Sequence, residues 1–271
     1  MSGGENKFAG SFVRFEKCKC VAQIPLMRIR EKLDEYTSRR DYDGAARHLE
    51  YWRAEAEASG DLRGAFSIYN EMMGVYRKMP DREKALASAE AVLELISVLE
   101  NGDTLSAGTA YVNAGTVFDA FGEPERAAQC FESARKVYEK DLPAGDERLG
   151  GLYNNMALAL CDLGRYSEAS DYYEKALSVM ELQPRGMLER AITYLNMADL
   201  AEKTEGFEAA EEKITKYLET AEKLIAEPSL PRDGYYAFVC EKCAPSFSYY
   251  GWFQTAAELQ GIADKIYGEE K

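Results

Sequence analysis

With 271 residues, 46% of them hydrophobic, the chain can bury a large core as one domain or two. Its 33 basic residues face 47 acidic ones, and a net charge of −14 repels phosphate backbones and anionic lipid heads, so neither nucleic acid nor a membrane is an expected partner. No run of about 18 apolar residues occurs and the opening MSGGENKFAGSF has no secretory core, so a cytoplasmic protein with its six cysteines reduced is expected.

Residues 1–24 read as an N-terminal arm that contains FVRFEKCKCVAQIP. It is too short, and too poor in basic residues, for a helical DNA-binding module. From residue 25 the chain repeats itself. The first unit, about 25–60, holds REKLDEYTSRRDYDGAARHLEYW, centred on Leu33. The second, 61–102, holds YNEMMGVYRKMPDREKA around Met73, and the third, 103–145, holds YVNAGTVFDAFGEPERA around Gly115. The fourth, 146–187, carries YNNMALALCDLGRYSEA around Ala157, and the fifth, 188–230, carries YLNMADLAEKTEGFEAA around Ala198. The sixth, 231–268, is CEKCAPSFSYYGWFQTAAELQGIA around Ala244.

Each unit predicts two amphipathic helices. Tyr153, Met156, Ala157 and Leu160 fall at i, i+3, i+4 and i+7, one apolar stripe that forms the seam. Twelve residues after each central position stands an alanine: Ala45, Ala85, Ala127, Ala169, Ala210 and Ala256, where nothing larger lets two helices approach. Gly122, Gly164, Gly206 and Gly251 mark turns, and Pro80 and Pro124 punctuate others. NGDTLSAG, LPAGDERLG and AEPSLPRDG are hairpin connectors and not domain linkers.

This grammar resembles the tetratricopeptide repeat over about nine-tenths of the chain, most strongly in the fourth unit. The central copies are spaced 42, 42 and 41 residues apart, against 34 in the standard repeat, which adds about a turn to each helix. The long form is similar to repeats of kinesin light chain and of bacterial Rap-type peptide receptors. The resemblance implies an all-α, right-handed superhelical solenoid of about six hairpins, extended as a rod, with first helices lining a concave groove. It also implies a non-catalytic protein- or peptide-binding scaffold of bacterial origin.

Counting about 100° per residue places the asparagine two before the central residue away from the seam. Asn113, Asn155 and Asn196 occupy that place in three successive units, with Asn70 and Asn154 one residue earlier in theirs. An amide offers both donor and acceptor, as an extended peptide backbone requires. In the families resembled, asparagines there hold a bound peptide; the other reading is that each amide bridges to the neighbouring unit or to water. The same count adds Arg30 and Asp34, Arg77 and Lys78, Thr116 and Asp119, Leu158 and Asp162, and Leu195, Asp199, Glu202 and Lys203 to the groove. Basic residues are missing from the places where carboxylate-clamp relatives need them, so a clamp for acidic chaperone tails is not supported. Asp119, Asp162, Asp199 and Glu202 instead favour a peptide with a basic or amine-bearing segment.

Other candidates for chemistry are weak. Cys18 and Cys20 with Cys240 and Cys243 invite a four-thiolate zinc site, but the pairs stand at opposite ends of a rod, and Cys240 and Cys243 fall on a seam. His48 has no nucleophile partner in its unit, SARK at 133–136 is a loose S-x-x-K match inside a helix, and no phosphate loop is present. No enzyme activity, cofactor or metal is expected. The last helix, with Trp252, Phe253, Leu259, Ile262 and Ile266, has no polar helix after it, although solenoids normally mask their terminal face. The alternative function is therefore a homo-oligomeric assembly or adaptor scaffold acting through its ends or convex face, for example as a homodimer through a terminal unit.

Overall fold

The 3.6-residue periodicity folds as twelve α-helices with no strand among the described residues, 22–269, of this computed structural model. They are α1 (Leu26–Ser38), α2 (Tyr42–Ser59), α3 (Leu62–Lys78), α4 (Arg82–Leu99), α5 (Leu105–Ala120), α6 (Pro124–Asp141), α7 (Glu147–Asp162), α8 (Tyr166–Glu181), α9 (Gly186–Glu205), α10 (Phe207–Ala226), α11 (Gly234–Tyr249) and α12 (Phe253–Glu269). Consecutive helices pair as six hairpins. Among the described residues no helix is long and apolar enough to cross a membrane.

Local chemistry sets the helix limits. Asp41, Asp61, Asp81, Asp146, Asp233 and Thr104 each accept a backbone N–H in the first turn of the helix they precede. Pro124 opens α6, where its missing N–H is harmless. Gly122, Gly164, Gly206 and Gly251 take φ of +77°, +71°, +81° and +82°, a left-handed turn that glycine reaches without a Cβ penalty.

Small residues set how closely the helices approach. Ala45, Ala85, Ala127, Ala169 and Ala210 are wholly buried, and Ala256 nearly so. Ala157 and Ala198 are wholly buried as well, and a Cβ added to Gly115 would sit 2.5 Å from the Phe131 ring. The inner helices touch one another in series, α3 with α5, α5 with α7, α7 with α9 and α9 with α11, while the even-numbered helices meet far less. The odd helices therefore line the shorter, concave wall. Leu195, expected in the groove, is buried in the core of the last two hairpins, because α9 carries apolar contacts to both its inner neighbours.

The expectation of an extended rod is corrected. The turn between α1 and α2 reaches the last hairpin: the Arg40 guanidinium lies 3.7 Å over the Tyr267 ring and 3.4 Å from the Glu241 carboxylate. Lys78, at the end of α3, lies 5.1 Å over the Phe238 ring of α11. The rotation from each hairpin to the next accumulates until the two ends meet, so the groove is closed on one side. Arg40 stands seven residues after Leu33, the place that glycine holds after Gly115, Ala157 and Ala244, and its φ is also left-handed, 55°. For a non-glycine residue that conformation costs about 1–2 kcal/mol. The side chain offsets it by clasping the far end.

Two outcomes are expected. Gly115→Leu overpacks the α5–α6 seam and lowers stability by about 1–3 kcal/mol, read as a lower denaturant midpoint; an unchanged midpoint would contradict the close approach. Arg40→Gly relaxes the turn but frees the ends, so the radius of gyration from X-ray scattering rises while helicity by circular dichroism is kept.

Candidate functional site

The concave wall is cross-braced between neighbouring inner helices, and the polar side chains divide into those that brace and those left over. Arg30 Nε meets Glu71 Oε1 at 3.1 Å, joining α1 to α3. Asn113 Nδ2 donates to Asn70 Oδ1 at 3.0 Å, joining α3 to α5. Asn196 Nδ2 donates to Asn154 Oδ1 at 3.1 Å, joining α7 to α9, and the Thr193 hydroxyl, which shares its proton with the Glu189 carbonyl, lies 3.2 Å from the same oxygen. The Tyr249 and Tyr250 hydroxyls each donate to the Glu202 carboxylate at 3.0 Å, and Tyr235 donates to Glu189, joining α9 to α11.

The amides expected as a uniform ladder thus fall into two classes. Asn70 with Asn113, and Asn154 with Asn196, are rungs between adjacent units. Asn154 is buried, 6% exposed, and its oxygen accepts from Asn196, so it faces its neighbour and not the open groove. Asn155 is half-buried and has no hydrogen-bond partner among the described residues. One residue of offset on the helix separates these fates.

Between α5 and α7 no polar rung forms. The Asp162 charge acts on Asp119 there instead, and Asp119 Oδ1 is buried without a hydrogen-bond partner. Burial, with the Asp162 charge adding to it, pushes the Asp119 carboxyl up to about 6. Lys203 lies 2.8 Å from Asp199 and 3.9 Å from Asp162, so it neutralises the α9 end of the acidic row and leaves the Asp119 end bare. Asn155 and Asp119 are consequently the unspent polar groups at the centre of the wall, with Asp162 held only at 3.9 Å by Lys203. Glu202 is spent on its two tyrosines.

The remaining candidates are structural. Cys240 and Cys243 are buried, and burial pushes their thiols up to about 11 and about 12, which keeps them protonated as small core residues. Burial of this pair argues against a zinc site; Cys18 and Cys20 lie outside the described residues. The His48 ring nitrogen contacts the Ile29 carbonyl at 3.1 Å and packs on Tyr36, and Ser133 bonds back to its own helix at Gln129. The helical count set Asn155 one residue apart from Asn154, but the position of α9 decides which of them is covered.

A family model described as tetratricopeptide repeat matches residues 64–140 and 148–223. Among solved structures, the apo form of RapI has a TM-score of 0.59 at 13% identity, over 92% of this chain and 86% of that one. BtubC (BKLC) from P. vanneervenii has a TM-score of 0.53 at 18% identity, over 86% and 91%. A Rap protein complexed with Competence and Sporulation Factor has 0.50 at 15% identity, over 89% and 74%. At these identities the likeness concerns the fold. No curated protein matches the sequence.

The raised Asp119 value fixes the sign of a pH effect. The folded chain holds this proton more tightly than the unfolded one, so Asp119 favours folding on the acid side and loses that contribution as pH rises through about 6. Asp119→Asn is therefore expected to gain melting temperature relative to wild type between about pH 4 and 7. Parallel curves across that range would show that the carboxyl is solvated.

Proposed function

As the chain belongs to the tetratricopeptide repeat family, we propose that it is a non-catalytic scaffold holding a peptide, or a flexible segment of a partner protein, along its concave wall. The observation that carries this is the gap between α5 and α7, where Asn155 lacks a partner and Asp119 keeps a buried, unbonded oxygen. Side-chain bonds between neighbouring inner helices brace much of the remaining wall. Leaving a buried acceptor unmet costs about 1–3 kcal/mol, which a ligand donor would recover. Asn155 presents both donor and acceptor to a peptide backbone, and Asp119 and Asp162 select a lysine, arginine or terminal amine beside it. Asn113, Asn70, Asn154 and Asn196 hold the inner helices in the register that presents this gap, and Asp199 and Glu202 extend its acidic rim. The fold shared with a Rap protein crystallised with Competence and Sporulation Factor supports a groove of this use. The setting belongs to the proposal too: a bacterial cytoplasm, consistent with free buried thiols at Cys130, Cys161, Cys240 and Cys243.

A second reading has its own observation. A cleft of about 550 Å³ between α10 and α12 is lined by Ile225, Leu259, Ile262 and Ile266 and leaves apolar surface at the C-terminal end. That favours a scaffold acting through its end, as a dimer or an adaptor. Light scattering over a dilution series separates the two: a concentration-independent monomer removes the dimer.

Randomised peptide pools with and without lysine, measured by fluorescence anisotropy, test the first reading. Asn155→Ala is expected to weaken the lysine pool at least about tenfold, the loss of about 1.4 kcal/mol, while the melting temperature stays put. Asn196→Ala, which breaks a rung, should instead cost about 1 kcal/mol of stability. Unchanged affinity in Asn155→Ala, or a stability loss equal to that of Asn196→Ala, would defeat the assignment.

A further inference from the structure

The closure of the solenoid brings together charges that the sequence keeps far apart. Lys242 stands two before Ala244, the same place that Asn113, Asn155 and Asn196 hold on their helices, so it faces the inner wall. Lys78 stands five after Met73, the place of Asp162 and Lys203 in their units. The Lys78 ammonium lies 5.1 Å over the Phe238 ring, and Phe238 is four residues from Lys242, on the same face of α11. The Lys242 charge acts on Lys78 across the junction of α3 with α11. Arg77 and Arg40 stand close enough to repel Lys78, and the one carboxylate acting on it comparably, Glu241, is already held by Arg40.

Four cations thus surround one occupied carboxylate, in a chain with 47 acidic residues and only 33 basic ones. Among the described residues, Arg77, Lys78 and Lys242 have no carboxylate at ion-pairing distance. Glu189 is the next acid along the wall; the Lys242 charge acts on it, and it accepts from Tyr235. The dipole of α3 favours Arg77 and Lys78 in its last turn, but it does not account for Lys242 in the middle of α11. Partial burial of its stem and the Arg77 charge both push the Lys78 ammonium down, although the side chain remains exposed.

We infer that this junction is an anion site in which Lys78 and Lys242 hold a carboxylate of the bound peptide. The inference rests on the peptide reading above and gives it a direction: the basic part of the ligand lies over Asp119 and Asp162, and its acidic part at the closure. A carboxylate oxygen accepting from two ammonium groups makes charge-assisted bonds, and it supplies the negative charge that Glu241 cannot share. The groove is then dipolar, and a ligand bearing one sign of charge fills only half of it.

The first test needs no peptide. Inorganic phosphate is added at ionic strength matched with chloride, and melting temperature is read for wild type and for Lys78→Gln with Lys242→Gln. Wild type should gain about 2–4 °C once phosphate exceeds its dissociation constant roughly fivefold, and the double variant should gain nothing. Without phosphate the variant should melt no lower than wild type, because repulsion has been removed. Equal shifts in both proteins, or none in wild type, overturn the site. In the second test, lysine-containing peptide pools ending in Glu-Glu or Gln-Gln, each with a free or an amidated C-terminus, are compared by anisotropy. Wild type should bind the Glu-Glu pool at least about tenfold tighter than the Gln-Gln pool, and the double variant should bind them equally. A preference that follows the free terminus instead assigns the site to the α-carboxylate, and no preference of either kind overturns the carboxylate ligand. If no pool binds while the phosphate shift remains, the peptide reading fails and the anion site stands.

Discussion

The close approach of helices at alanine and glycine is the constraint from which the rest of this structure follows. Ala45, Ala85, Ala127, Ala169, Ala210 and Ala256 bring the second helix of each hairpin close to its neighbours, and Gly115 lets the Phe131 ring lie against backbone. Close packing of this kind is intolerant of added volume. It fixes the angle between hairpins, and a fixed angle repeated six times becomes a curvature. The inner helices are crowded enough to touch in series, the outer ones are splayed, and the polar groups of the inner helices are forced within hydrogen-bonding reach of one another.

That proximity explains why most of the groove is already satisfied. Hydrogen bonds between Asn113 and Asn70, and between Asn196 and Asn154, are available because the central units repeat with nearly constant spacing, so like residues arrive side by side. Where two aspartates arrive side by side, the same geometry gives repulsion. The α5–α7 gap is thus a product of the repeat, a rung at which the partners do not match. Its raised carboxyl and unbonded oxygen are the cost of that mismatch.

Curvature also converts a linear array into a closed one. Arg40 adopts a backbone conformation that glycine would take more cheaply, and its guanidinium is set between Glu241 and the Tyr267 ring, contacts that are exposed and screened by salt. A clasp of this strength is weak compared with the buried apolar clusters that run through the stack. The molecule is therefore stiff along its spine and only lightly held where its ends meet, beside a cluster of like charges.

The sequence by itself determined the helices, their pairing and the seam, because amphipathic period, alanine spacing and turn glycines act within one unit and are visible at one residue's range. It also determined that the amides stand off the seam. It set Asn154 and Asn155 one residue apart in register but could not show which is covered, since that depends on where the next unit lies. Nor could it show that Arg40 reaches Glu241 or Lys78 reaches Phe238, because the angle between hairpins is a small quantity that packing sets and six repeats multiply. Contacts between residues about 200 positions apart are decided by that accumulated rotation, and only the tertiary structure carries it.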